Sequence, residues 1–379
     1  MKKLLATITA IITLTALLGG CYPSGKTETL PDSAVGNSEQ GDISSESSEQ
    51  SVTLHTEGVT FDLNAPANIP DEFPSISLTL KKWDKGKLEK LLLDGREIEE
   101  QDERDCQFIP NEKHYSYDTK DQFCIIFEPG YLLIDDRAAL GGEYKYGSVY
   151  SQAEYCTASG EELSAFSRAN AVTRVNALID ELGITNYGEP LITPIKADFA
   201  NEVLASYEGR KDKQGNEFEY TPWTSDEEIY VLIYPFVFEN TELAMHDFLI
   251  PQTTDKFSRT PSVVAVVSKD KIIRFSANSV YSSSYETVEN ITVNYGYDKI
   301  SEELKKFHSN FVPEYPITYY SGKSVYLPRE MADDGMTVTF VPGWEFRGYT
   351  ELWEAPSPFD RCSKEQFFYA DTGYRYIEN

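Results

Sequence analysis

The stretch FCIIFEPGYLLIDD, residues 123–136, is two short apolar runs on either side of Glu128-Pro129-Gly130. Such runs are too short for stable helices, and Pro-Gly between them turns the chain back, so the stretch predicts an antiparallel hairpin. The pattern recurs in SVVAVVSKDKIIRFSA (262–277), with its turn at Lys269-Asp270. Val59, Phe61 and Leu63 share one face of a strand, and SISLTLKKW (75–83) alternates likewise. EIYVLIYPFVF (228–238) reads as a buried strand interrupted at Pro235, and MTVTFVPGWEF (336–346) and QFFYADTGYRYI (366–377) as the last two strands. Short strands joined by tight turns satisfy their backbone hydrogen bonds most directly in antiparallel sheets.

Helical periodicity is confined to a few segments. Leu88, Leu91 and Leu92 mark one face of 84–95, which Gly95 stops. The longest predicted helix runs from an N-cap at Ser159, with Glu162 in the capping-box position, to Gly183. Ser301 is placed as the cap of EELKKFHSNF. The fold class expected is therefore α+β, with antiparallel sheets each packed by one or two helices. SVYS occurs at 148–151 and 279–282, and EELSAF (161–166) answers EELKKF (302–307) in the same order after a hairpin. These matches suggest two related modules, an N-terminal domain over 52–255 and a C-terminal domain over 256–379.

The first 51 residues follow another grammar. Lys2 and Lys3 precede an uncharged apolar run, Leu4–Leu18, which has the make-up of a signal peptide over 1–20 and is short for a membrane span. Leu18-Gly19-Gly20-Cys21 resembles the bacterial lipobox. That resemblance implies a diacylglycerol on the Cys21 thiol, cleavage just before it, and attachment to the outer face of the cell membrane without a spanning segment. Residues 21–51 carry that cysteine and a Ser/Glu-rich stretch with few apolar residues, which reads as a disordered tether with a typical span of roughly 30 Å.

The chain has 62 acidic against 34 basic residues and a net charge of −28. Nucleic acid and anionic membrane surfaces bind through Lys/Arg patches, so neither is an expected partner. Of the five cysteines, Cys106, Cys124, Cys156 and Cys362 remain beside the lipid site. Cys106 and Cys124 flank one polar loop and are the favoured disulfide pair, with four reduced thiols the alternative; no CxxC points to zinc.

Motifs for catalysis are weak. The four histidines form no HExxH, and no GxSxG occurs. Ser268-Lys-Asp-Lys271 matches SxxK but falls in the predicted hairpin turn, and SGKS (321–324) lacks the first P-loop glycine and reads as a turn. ADDG (332–335) and DEE (226–228) read as a turn and a helix start, with calcium ligation the alternative. No catalytic residue, metal or cofactor is assigned. The abundant functional material is aromatic. Tyr281, Tyr285, Tyr319, Tyr320 and Tyr326 lie near predicted turns and read first as sheet-surface tyrosines in cross-strand pairs; the functional alternative is exposed rings that stack on sugars or build protein interfaces.

VTFVPGWEF followed by FFYADTGYRYI resembles the ending of PepSY- and YycI-like extracellular modules. Pro342, Trp344 and Phe346 match the first closing strand of that pattern, and Asp371, Thr372 and Gly373 a compressed form of the second. The overall layout is similar to uncharacterised lipoproteins of anaerobic Gram-positive bacteria. The resemblance implies a non-enzymatic, lipid-anchored protein that binds another envelope protein, such as a sensor-kinase ectodomain or a protease. The alternative is a glycan- or solute-capturing lipoprotein using the tyrosines, and a hydrolase with an unrecognised site comes third.

Overall fold

The structure is a computed structural model describing residues 52–56, 58–63, 71–107, 109–140, 149, 161–205, 221–245, 260–309, 313, 316–351 and 361–376. Cys21, the leader and the tether lie outside them. The strands in the first part are β1 (Val52–Thr56), β2 (Val59–Leu63), β3 (Glu72–Leu80), β4 (Ile98–Asp105), β5 (Lys113–Thr119), β6 (Phe123–Glu128) and β7 (Tyr131–Asp136). Then come β8 (Leu191–Ile195), β9 (Ile229–Pro235), β10 (Val237–Phe238), β11 (Thr241–Leu243), β12 (Ser262–Val267) and β13 (Ile272–Asn278). The last four are β14 (Tyr281–Thr292), β15 (Ile317–Met331), β16 (Thr337–Glu351) and β17 (Arg361–Tyr369). The helices are α1 (Lys85–Leu93), α2 (Arg137–Leu140), α3 (Arg168–Leu182), α4 (Ala197–Ala205) and α5 (Tyr297–Ser309).

This is a mixed α+β protein with antiparallel sheets. One sheet has eight strands in the order β4-β5-β6-β7-β13-β12-β9-β8, all pairs antiparallel. Both hairpins read from the sequence are in it, the first turning at Gly130 (φ 69°), a conformation glycine adopts without a Cβ penalty. The other sheet runs β1-β2-β15-β16-β3-β14, with β17 on β16 and the β10–β11 hairpin on β15. Its spine is the long β15–β16 hairpin, and two of its pairings, β2 and β11 on β15, are parallel.

The division at 255/256 is corrected by this topology. β12 and β13 sit between β7 and β9, while β1–β3 pair with β14–β16. A cut at 255/256 would sever both sheets, and Glu49–Asn379 forms one compact unit. The core explains why. Ala171, Val175, Ile179 and Leu182 of α3 share one apolar cluster with Leu232 and Tyr234 of β9, and with Ile76 and Leu78 of β3 and Phe340 of β16. On the far face of the eight-stranded sheet, Ala200, Val203 and Leu204 of α4 pack with Val231, Val266 and Trp223. Ile300 and Leu304 of α5 pack with Phe61, Trp344 and Phe346.

Two helix starts also differ from expectation. α3 begins at Arg168, capped by Ser167, whose side chain accepts from the Asn170 N–H, and it ends at Gly183 in the left-handed region as expected. Glu162 is not a capping-box residue. Its carboxylate lies before the helix, accepting from the Arg168 N–H (2.8 Å) and the Tyr230 hydroxyl (3.1 Å). Ser301 is inside α5, its hydroxyl donating to the Tyr297 carbonyl. EELSAF is therefore irregular chain and EELKKF the middle of a helix, and the two related modules have no counterpart in the sheets.

Candidate functional site

The five tyrosines lie on β14 and β15 rather than in loops. Strand alternation turns three of them inward. Tyr281 packs against Phe340, Tyr319 stacks on Phe61 at 5.7 Å, and Tyr326 donates to the Pro74 carbonyl. Burial pushes the Tyr281 and Tyr326 hydroxyls above their ordinary pKa. Tyr285 is half-buried and hydrogen-bonded to Glu239. Tyr320 alone of the five is exposed, beside Tyr349 with ring centroids 6.2 Å apart. The expected tyrosine surface thus reduces to one pair of rings.

No disulfide joins Cys106 to Cys124. Cys106 donates its N–H to Glu112, just before β5, while Cys124 stands opposite Asp118 near that strand's other end. Six residues of strand separate those levels by roughly 20 Å, and a disulfide needs Cα atoms within about 7 Å. The sulfur of Cys106 lies 3.5 Å from a Glu128 oxygen, and that same oxygen is 2.9 Å from Nδ1 of His114. Cys124 accepts from Arg137 at 3.0 Å, yet burial outweighs that charge and pushes its thiol up to about 12. A thiol held protonated is a poor nucleophile. Arg137 also pairs with Asp118, and Asp135 with Arg274. What the chain assembles here is a run of charge pairs, with Glu128 standing between Cys106 and His114.

The short motifs are structural. Ser268 hydrogen-bonds the Lys271 carbonyl within its turn, and the Lys271 ammonium goes to Asp136 (2.6 Å). SGKS is not a turn but part of β15, where Lys323 reaches Glu242 and the buried Glu345. Asp334 caps the β15–β16 turn by accepting from the Met336 and Thr337 N–H groups. In DEE, Asp226 pairs with Lys269, Glu227 accepts from Thr224 and Glu228 from the Ala197 N–H; the segment is a turn into β9, not a helix start. Asp371 is gripped by both terminal nitrogens of Arg329 (2.7 and 2.8 Å); burial opposes its ionisation, but those bonds hold the carboxyl below its usual range. Among the described residues no acidic, His or Cys group is arranged to hold a metal.

His308 is a buried titratable group whose protonation bears on stability. It is 3 % exposed, with Nε2 3.0 Å from the Tyr319 hydroxyl. Burial, helped by the charge of Arg375, pulls it down to about 4. The unfolded chain takes up a proton near pH 6.5 that the folded chain refuses, so stability falls as pH falls through that interval. Between pH 7 and pH 5 the loss expected from this residue is on the order of 1–2 kcal/mol. Urea unfolding at the two pH values measures it, and His308→Gln, which keeps a polar partner for Tyr319, should lose that much less.

β14 offers an open edge. It ends the nine-stranded sheet, pairing with β3 alone, through bulges between Tyr281 and Tyr285 and between Thr287 and Glu289. Glu286 to Asn290 are exposed without a break, Val288 by 55 %. The serine and glutamate content of YSSSYETVENIT hid this strand from periodicity, although Thr287, Val288, Ile291 and Thr292 are strand formers. β4 is also fully exposed, but its eight residues carry five acids, a usual guard on a sheet edge.

No family model matches the chain, and no curated protein matches it. Among solved structures, the crystal structure of an uncharacterised protein from Eubacterium rectale is similar, with a TM-score of 0.61 and 14 % identity. The match covers 86 % of this chain and 92 % of that one. At this identity the likeness concerns the fold alone.

Proposed function

We propose that the protein is tethered by a diacylglycerol on Cys21 to the outer face of the cell membrane, and acts there by binding another envelope protein. The observation that carries the binding reading is the open, exposed edge of β14. Its outward N–H and C=O groups have no strand partner among the described residues, and an extended segment of a second protein can complete such an edge with main-chain hydrogen bonds. The closing strands β16 and β17, where Trp344 stands opposite Phe368, support the likeness to PepSY- and YycI-like modules and so a sensor-kinase ectodomain or protease as partner. Tyr320 and Tyr349 favour a second reading, glycan capture, because two neighbouring rings suit a sugar face.

Hydrogen exchange tests the proposal. In the purified full-length protein the amides of Glu286–Thr292 that face outward should exchange fast. In the protein's own membranes they should be protected at least ten-fold, and equal exchange in both settings would refute strand addition.

A further inference from the structure

The two acidic sheet edges treat their charges differently. On β4, three of the five acids are answered from within the chain: Asp102 by Arg104 at 3.7 Å, Glu103 by Lys85 at 3.0 Å and Asp105 by Lys113 at 2.8 Å. On β14, Glu286 and Glu289 are exposed and make no ion pair among the described residues. Neither β14 nor its one partner strand, β3, contains a lysine or arginine, and β3 adds a third acid, Glu72. The negative charge of this edge is therefore left open beside open main-chain groups.

The bulge arranges that charge. Glu286 stands opposite Ser77 and Glu289 opposite Ser75. Those serines are two apart on β3 and share a face, so the extra residue Val288 brings both carboxylates to one side of the sheet. Ser75, 1 % exposed, fixes the bulge by donating to the Glu289 carbonyl at 3.1 Å and accepting from its N–H at 3.2 Å. A strand added at the usual spacing of about 4.8 Å puts its side chains within about 5.5 Å of those they oppose. At that range opposite charges attract and like charges repel across the pair. A second copy of β14 laid on the exposed stretch would set glutamates beside glutamates, so the edge is ill-suited to pair with itself.

We infer that the segment completing β14 is an extended stretch of a different protein with Lys or Arg at alternate positions, facing Glu286 and Glu289. The inference rests on β14 as the binding edge and adds the charge its partner carries.

The test is fluorescence anisotropy of two labelled peptides, Thr-Lys-Val-Lys-Val-Thr and its Gln-for-Lys counterpart, with the full-length protein. The Lys peptide should bind about ten-fold more tightly, for two charge pairs at close range in water. Both peptides should slow hydrogen exchange of the outward amides of Glu286–Thr292. Glu286→Gln with Glu289→Gln should abolish the ten-fold preference and leave the affinity for the Gln peptide as it was. Asp102→Asn with Glu103→Gln removes the same charge from exposed positions of β4 and should leave the preference intact. Equal affinity for the two peptides, or equal loss of preference in both double variants, would overturn the inference and leave the edge reading standing. A photo-crosslinker at Val288 that joins two copies of this chain would overturn it too. If neither peptide protects the β14 amides, the edge reading itself falls, and the inference with it.

Discussion

Cys21→Ser should abolish lipid attachment. The variant is expected either in the soluble fraction or at the membrane with its leader uncut, because a serine hydroxyl does not replace the thiol that takes the diacylglycerol. Two acyl chains hold a protein stably at a bilayer where one is marginal, so the parent should partition wholly with membranes and detergent. The expectation rests on Leu18-Gly19-Gly20-Cys21 and on the uncharged run before it. No helix among the described residues is long and apolar enough to cross a membrane. Mass spectrometry of the mature N-terminus checks it directly. An unmodified Cys21 in membrane-bound protein would contradict it.

Trp344→Ala should cost about 3–5 kcal/mol, the range for removing a large core aromatic. The indole is 1 % exposed, donates to the Tyr295 carbonyl at 2.8 Å, and lies 5.4 Å from the Tyr297 ring. It shares its cluster with Ile300 and Leu304 of α5 and Phe61 of β2. Truncation therefore opens a cavity and leaves a partly buried carbonyl without its donor. The loss rivals the whole stability of many domains, about 5–15 kcal/mol. It should not be confined to the C-terminal third, because β16 pairs with β3 as well as with β15 and β17. Urea unfolding should show one transition at a much lower midpoint. A midpoint unchanged from the parent would put Trp344 on the surface instead of in this core.

The sequence was most informative where burial and local turn chemistry coincide. Phe123–Asp136 and Ser262–Ala277 carry their turns inside them, so both hairpins were legible, as were Gly183 as a helix stop and the β16–β17 pair. Pairings between distant segments were not. Nothing in VTFDL or SISLTL says that they join strands some 250 residues later, because period-two alternation marks a face and not a neighbour. That is why the cut at 255/256 looked natural. β4 escaped because five acids in eight residues disguise a strand exposed throughout. The site suffered from the same limit. Tyr319, Tyr320 and Tyr326 are close in sequence, yet the pleat and a bulge send Tyr319 and Tyr326 into the core and leave Tyr320 outside. The Cys106–Cys124 pairing failed for a spatial reason also, since the two ends of β5 keep the thiols apart.

We propose β14 as the binding edge of a membrane-tethered body. A photo-crosslinking amino acid at Val288, with a control at Ile98 on β4, tests it in the native membrane, since both side chains are exposed, by 55 % and 43 %. Position 288 should give one discrete adduct with an envelope protein, and position 98 none. Loss of that adduct is further expected when Asn290→Pro removes an outward N–H from the edge, since the neighbouring Glu289 N–H turns inward to Ser75. No adduct at position 288, or the same adducts from both positions, would contradict it.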